Sequence, residues 1–174
     1  MRIAPGITRV SPLDFNDYPI SHSLLMAIVW AVAFSGTYYA LRRSKGSALV
    51  VGAAVVSHWV LDFIVHRPDL QLYPGGSVRV GLGLWNSWVA TIAAEVLCFG
   101  VGLWLYLGCT RARDNAGRYG FWALIAFLFL GWVSTLFTGA PPNTTSLAWG
   151  GLAMWLTAPW GWWVDRHRTV VGYT

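Results

Sequence analysis

The stretch GSALVVGAAVVSHWVLDFIVH, residues 46–66, is long and apolar enough to cross a lipid bilayer as a single helix. It nevertheless contains three ionisable side chains, His58, Asp62 and His66, each four residues from the last. An aspartate in the middle of a membrane helix costs roughly 2.5–3.5 kcal/mol on insertion scales. A specific partner for these side chains is therefore expected.

The composition of the whole chain agrees with this membrane reading. Hydrophobic residues make up 56% of the 174 residues and charged residues 11%, whereas a soluble domain carries about 25% charged residues. The net charge of +5 comes from single residues and short loops, with no basic helix face. These features predict an integral membrane protein whose partner is the lipid bilayer, and they argue against nucleic-acid binding.

The pattern of apolar runs and polar turns predicts an all-α bundle of about five transmembrane helices in a single domain, residues 1–174. The predicted helices cover about 22–41, 46–66, 84–107, 121–138 and 147–164. Each run approaches the roughly 20 residues that a membrane-spanning helix requires. Turn-forming sequences such as GAPPNTTS separate the runs.

The positions of lysine and arginine predict the orientation of this bundle. Eight of them belong to loop 42–45, loop 108–120 and the C-terminal tail, and four belong to the opposite side. The first group is Arg42, Arg43, Lys45, Arg111, Arg113, Arg118, Arg166 and Arg168, and the second is Arg2, Arg9, Arg67 and Arg79. The positive-inside rule then predicts an external N-terminus and a cytoplasmic C-terminus.

The spacing of His58, Asp62 and His66 places them on one stripe of the second helix. Residues four apart lie on the same helix face, and eight residues rise by about 12 Å. His22 begins the first predicted helix and is expected near the same outer surface, with Asp17 in the loop before it. Imidazoles and carboxylates from two helices are thus predicted to meet.

A divalent cation is the economical explanation for such a cluster, because it accepts neutral imidazole nitrogens and carboxylate oxygens and reverses the local cost of burial. His58 and Asp62, one helical turn apart, form a predicted pair of ligands, and His22 is the predicted third. Asp17, His66 or Glu95 is predicted to complete the shell or to support a second ion. Mixed ligands of this kind suit zinc, or manganese and iron at carboxylate-rich sites. Glu95, within the third predicted helix, is predicted either to ligate the ion or to act as a general base for a water molecule.

The same residues carry a resemblance to a known family. YPISHSLL, residues 18–25, followed by VVSHWVLDFIVH, residues 55–66, resembles the bacterial membrane-bound, metal-dependent hydrolases of the YdjM-like family. Members of that family carry a His-Arg-Gly-x-Thr-His-Ser pattern before the first helix and a Ser-His-x-x-x-Asp pattern in a later one. The resemblance covers Asp17 to about Glu95.

Laid on these patterns, His22 matches the second histidine of the first motif, and His58 and Asp62 match the second motif. Asp17 stands in the place of the family's leading histidine, and Tyr18-Pro19 replaces Arg-Gly. The resemblance implies a bacterial inner-membrane protein and a hydrolase. The predicted mechanism is metal-assisted hydrolysis of an ester or phosphoester, lipid-like because the site adjoins the bilayer, at the outer face.

Each of these side chains also has a plainer interpretation. His58 and Asp62 could bond to each other and hold helices together, a contribution of about 0.6 kcal/mol on average in membrane bundles. His66 could be a solvated histidine at a helix end, Asp17 a loop or N-cap residue, and Glu95 a protonated acid bonded to a neighbouring helix.

Two further classes of function stay open on the sequence alone. One is a non-catalytic subunit of a larger membrane complex or homo-oligomer, built on a family scaffold that has lost its activity. The other is a proton or cation pathway through the bundle, which expects polar groups that continue to the inner face. The sequence offers few such groups beyond Glu95.

Overall fold

The computed structural model describes residues 2–15 and 18–171. Its helices are α1 (Pro19–His22), α2 (Leu24–Arg42), α3 (Lys45–Val65), α4 (Trp88–Cys109), α5 (Phe121–Phe137), α6 (Thr144–Met154) and α7 (Thr157–Arg166). Three short antiparallel pairs join β1 (Arg2–Ile3) to β2 (Leu13–Asp14), β3 (Leu70–Gln71) to β4 (Arg79–Val80), and β5 (Thr110–Ala112) to β6 (Arg168–Val170).

Among the described residues, four helical stretches are long and apolar enough to cross a membrane: α2, α3, α4 and the run Ala116–Phe137, in which a π-helical turn leads into α5. The predicted all-α membrane bundle is therefore confirmed. Large apolar side chains on these helices are exposed, for example Val89 at 81% and Phe137 at 84%. A lipid bilayer is the solvent that suits such a surface.

The fifth predicted helix is divided into α6 and α7, with Trp155 and Leu156 between them. The physical reason is Pro159, which has no N–H to donate and whose ring crowds the carbonyl one turn earlier in a continuous helix. Placed in the first turn of α7, Pro159 costs no helical hydrogen bond. The count of five spans is thus approximate, since neither α6 nor α7 reaches spanning length.

The chain forms two compact units, Met1–Thr91 and Ile92–Thr174. In the first unit, α2 and α3 form a tight helical hairpin. Arg43 adopts a left-handed conformation at the end of α2 (φ 54°), and the side chain of Ser44 caps α3 by accepting from the Ser47 amide. Two residues therefore suffice to reverse the chain.

Small residues bring α2 and α3 close together. Ala27, Ala31 and Ala48 are buried between them, and Ser35 Oγ donates to the Ala48 carbonyl oxygen over 2.7 Å. A Cβ atom on Gly52 would crowd the Ser35 hydroxyl. Close backbone approach of this kind is what holds membrane helices together in the absence of a hydrophobic driving force.

The segment after α3 folds back over the end of that helix. The Leu82 amide donates to the Phe63 carbonyl oxygen (2.8 Å), and the Gly83 amide donates to that of His66 (2.6 Å). Gly81, at φ +155°, passes so close that a Cβ atom would collide with the carbonyl oxygens of His66 and Arg67. The return of the chain at this point therefore requires glycine.

The N-terminal segment packs on a 3-10 turn, Leu84–Asn86, that precedes α4. The amides of Arg9 and Val10 both donate to the Trp85 carbonyl oxygen at 3.1 Å. This arrangement brings Phe15 against the Trp85 ring, with 6.3 Å between ring centroids. The two rings form a wall beside the end of α3.

In the second unit, β5 and β6 pair and are held by Arg168. Its guanidinium donates to the Thr110 hydroxyl (3.0 Å) and to the Gly117 carbonyl oxygen (3.1 Å), and lies over the rings of Tyr106 and Phe121. These contacts fix the chain that follows α7 against the chain that follows α4.

The second unit also contains a pair formed by Asp114 and His167. The two side chains share a hydrogen bond of 2.7 Å, which together with the Gly117 amide lowers the pKa of the Asp114 carboxyl. The pair is exposed: Asp114 lies in the turn before the fourth spanning stretch, and His167 directly follows α7.

Candidate metal centre

Helices α1 and α3 bring His22, His58 and Asp62 together. The Asp62 Oδ2 atom lies 3.2 Å from His58 Nε2 and 3.7 Å from His22 Nε2. One ligand atom from each of the three residues lies within 4.8 Å of the other two. His22 thus lies close to His58 and Asp62 on α3, as the sequence predicted.

His22 reaches this position because the first helix is interrupted. Ser23 adopts an extended conformation, so that α1 ends at His22 and α2 begins only at Leu24. The Ser23 hydroxyl donates to the Pro19 carbonyl oxygen (2.6 Å), and the Trp59 indole N–H donates to the His22 carbonyl oxygen (3.1 Å). The second bond ties the backbone of His22 directly to α3.

The Asp62 carboxylate has one oxygen that stands out from the other polar atoms of this cluster. Its Oδ2 atom is buried and has no hydrogen-bond partner among the described residues, although two imidazole nitrogens face it. A buried polar group without a partner costs about 1–3 kcal/mol, and more when it is charged. A divalent cation fits this donor set, because two imidazoles and one carboxylate are ordinary zinc ligands.

The surroundings of His22 change its pKa. Burial lowers the pKa of His22 because desolvation disfavours the imidazolium form; Asp62 acts against this effect, while His58 and His66 add to it. The Nδ1 atom of His22 shares a 2.7 Å hydrogen bond with the Ser21 hydroxyl. A neutral ring that donates from Nδ1 presents the Nε2 lone pair to an ion.

One side of the cluster is open. The side chain of His58 is 60% exposed, whereas those of His22 and Asp62 are 23% and 13% exposed. Catalytic metal sites combine protein ligands with a position left for water or substrate. The exposure of His58 provides such an approach.

His66 is not the solvated helix-end residue that the sequence allowed. It is 2% exposed, and its ring packs against those of Phe15 and Trp85, at 4.8 and 4.7 Å between centroids. Its Nε2 atom lies 4.0 Å from Asp62 Oδ1. The compact group of three ligand atoms described above does not include it.

The two remaining predicted site residues are Glu95 and Asp17. Glu95, on α4 in the second unit, accepts a 2.6 Å hydrogen bond from the Trp132 indole N–H. This is the bond to a neighbouring helix that the sequence offered as an alternative, and a general-base role for Glu95 stays a prediction. Asp17 lies outside the described residues, and its role as a ligand also stays a prediction.

Several residues around the cluster were not singled out from the sequence as parts of a site. Asp14 is fully buried and bonded to Arg2 and Arg67, and Phe15 packs against both His22 and His66. Their positions depend on contacts between distant parts of the chain. A signal was available in the spacing of Arg67 and Asp69, two residues apart in the sequence, which are bonded at 3.2 Å.

Fold and cluster together define a class: integral membrane proteins in which a short helix and a spanning helix form a candidate metal centre. The model of the YdjM inner membrane protein family matches residues 18–140, and the chain belongs to this family. It is accordingly a multi-pass inner-membrane protein, and the matched residues include His22, His58 and Asp62. Comparison with curated proteins and with solved structures gives no match.

Proposed function

We propose that this protein is a membrane-embedded, metal-dependent hydrolase that cleaves an ester or phosphoester. His22, His58 and Asp62 hold one divalent cation, of which zinc is the first choice and manganese or iron the others. The site faces the outer side of the membrane, with the N-terminus outside and the C-terminus in the cytoplasm, as the distribution of lysine and arginine predicts.

The observation that carries the proposal is the buried Asp62 Oδ2 atom, which has no hydrogen-bond partner among the described residues and faces two imidazole nitrogens. If Asp62 served only to hold helices together, its buried oxygen would be expected to accept a hydrogen bond from His58 or His22. Asp62 Oδ2 instead lies close to the Nε2 atoms of His58 and His22 without a hydrogen bond to either. Convergence of this kind is typical of ligands to a common ion.

The chemistry of the site follows from its open side. A divalent ion, when bound, supplies Lewis acidity that activates water and polarises the bond to be cleaved. His22 and Asp62 are partly shielded from solvent, which strengthens electrostatic interactions within the cluster. The exposed edge of His58 is where a substrate enters, and the apolar surface of α2 and α3 places lipid-like substrates within reach.

One feature favours a phosphoester over a neutral ester. Arg79, on β4, lines a small cavity together with His22, Asp69 and Gln71. The Gln71 amide, oriented with its oxygen towards the guanidinium, accepts from Arg79 at 2.6 and 2.8 Å, and no carboxylate among the described residues forms an ion pair with Arg79. An arginine without a counter-ion beside a metal site suits an anionic substrate.

The proposal is tested by the hydrolysis of two chromogenic probes in detergent, bis-p-nitrophenyl phosphate and p-nitrophenyl butyrate. The metal-loaded protein is expected to release p-nitrophenol in a chelator-sensitive manner, and His58→Ala to lose this activity. Arg79→Ala is expected to raise KM for the phosphodiester about tenfold and to leave the neutral ester unaffected, because a charge-assisted hydrogen bond contributes about 1.5–3 kcal/mol.

Arg9→Ala is the matched control, since Arg9 is an exposed arginine of the same unit that does not line the cavity. It should leave both KM values unchanged. Hydrolysis no faster than that of His58→Ala, for both probes and with each of the three metals, would contradict the proposed activity.

A further inference from the structure

A chain of alternating charges runs from the N-terminal hairpin to the end of α3. Arg2 and Arg67 both bond to Asp14, and Arg67 also donates to Asp69 Oδ2 over 3.2 Å. The other oxygen of Asp69 shares a 3.0 Å hydrogen bond with His66 Nδ1. Each contact joins a carboxylate to an arginine or to a histidine. Asp69 is therefore held by Arg67 at one oxygen and by His66 at the other.

The His66 ring is held in a single orientation. Phe15 and Trp85 pack against it, it is 2% exposed, and Asp69 bonds to its Nδ1 atom. The Nε2 atom therefore points towards Asp62, where it lies 4.0 Å from Oδ1. At that distance the two atoms are not hydrogen-bonded, but the ring occupies the space beside Oδ1.

This arrangement bears on the orientation of Asp62. The terminal torsion of an aspartate is broad and readily turned, yet only Oδ2 is placed 3.2 Å from His58 and 3.7 Å from His22. His66 stands on the side of Oδ1 and limits the turning of the carboxylate. Partners of this outer kind orient the ligands of metal sites, and their loss typically weakens binding 10- to 100-fold.

We propose that Asp69 is a positioning residue of the metal centre: through His66 it holds the Asp62 carboxylate so that Oδ2 faces His22 and His58. The inference rests on the proposed metal binding and extends it to two side chains that need not touch the ion. Arg67 and Asp14 extend the same support to the N-terminal hairpin.

The experiment measures Co²⁺ affinity of the detergent-purified full chain by competition with a chromophoric chelator, together with the visible spectrum of the bound ion. Asp69→Asn is expected to weaken binding about 10- to 100-fold while one ion per chain still binds at saturation. The spectrum should shift, because the carboxylate ligand is less well oriented. His66→Phe, which keeps an aromatic ring against Phe15 and Trp85, should weaken binding to a similar extent.

The double variant separates positioning from a general loss of stability. If Asp69 acts through His66, Asp69→Asn combined with His66→Phe should bind no more weakly than His66→Phe alone. Asp114→Asn is the matched control, because it removes a similar His–Asp bond, of 2.7 Å to His167, in the other unit. It should leave the affinity and the spectrum unchanged.

Four results would overturn the inference. The first is wild-type affinity and spectrum in folded Asp69→Asn, and the second is additive loss in the double variant. The third is equal loss in Asp114→Asn. If Asp69→Asn does not fold, wild-type affinity in His66→Phe is the fourth. Failure of the wild-type protein itself to bind Co²⁺ would instead refute the proposed metal centre, and the positioning role with it.

Discussion

Asp62→Asn is expected to abolish metal binding, with an affinity loss of more than about 100-fold, the upper end for residues that only support a ligand. The amide is uncharged and offers one oxygen in place of a carboxylate whose buried Oδ2 atom has no hydrogen-bond partner among the described residues. The measurement is metal content per chain after equilibration with Zn²⁺ and gel filtration, by plasma mass spectrometry.

The same substitution should not lower the stability of the metal-free protein. Burying a charge without a partner opposes folding, so removal of the Asp62 charge is expected to leave the thermal midpoint of the metal-free protein unchanged or raised. Asp165→Asn serves as the control, because Asp165 is bonded to Tyr106 in the second unit and should have no effect on metal content. A clear fall in the midpoint of metal-free Asp62→Asn, with metal content intact, would show that Asp62 is a structural residue.

Gly81→Ala is expected to have the largest effect on the fold of the first unit. A Cβ atom at Gly81 collides with the backbone carbonyl oxygens of His66 and Arg67, and the residue has a φ of +155°. Because the collision is with backbone, it cannot be relieved by turning a side chain. Overpacking of this kind costs about 1–3 kcal/mol, and the strained φ adds about 1 kcal/mol or more.

The measurement is the denaturant midpoint in detergent, together with protease sensitivity of the segment between α3 and α4. Gly75→Ala is the matched control, since Gly75 also has a positive φ, of +77°, but has nothing within 4 Å of an added Cβ. It is expected to cost only about 1 kcal/mol. Equal effects of the two substitutions would show that the chain around Gly81 can move apart without loss.

The class of fold could be predicted because it rests on composition and run length alone. An apolar stretch of this length, such as residues 46–66, satisfies its backbone hydrogen bonds in a bilayer by forming a helix. The break in the fifth predicted helix was not predicted. Pro159 lies inside an apolar run, yet this run is divided into α6 and α7. Mean hydropathy is an average over many residues, so it is not changed noticeably by a single proline, which lacks an amide hydrogen.

The centre of the site was predictable for a related reason. His58 and Asp62 are neighbours on one helix face, so their spacing fixes their proximity, and the family motif added His22. The partners of His66 were not predictable, since Phe15 and Trp85 reach it only through contacts between distant parts of the chain. Periodicity describes single helices and contains no information on such contacts.

X-ray absorption of the zinc-loaded protein measures whether His22, His58 and Asp62 bind one divalent ion. We expect one ion per chain with about two imidazole nitrogens at about 2.0–2.1 Å and carboxylate oxygen at about 2.0–2.2 Å, and loss of the imidazole signal in His22→Ala and His58→Ala. A folded wild-type protein without stoichiometric metal, or a zinc shell unchanged in both variants, would contradict it.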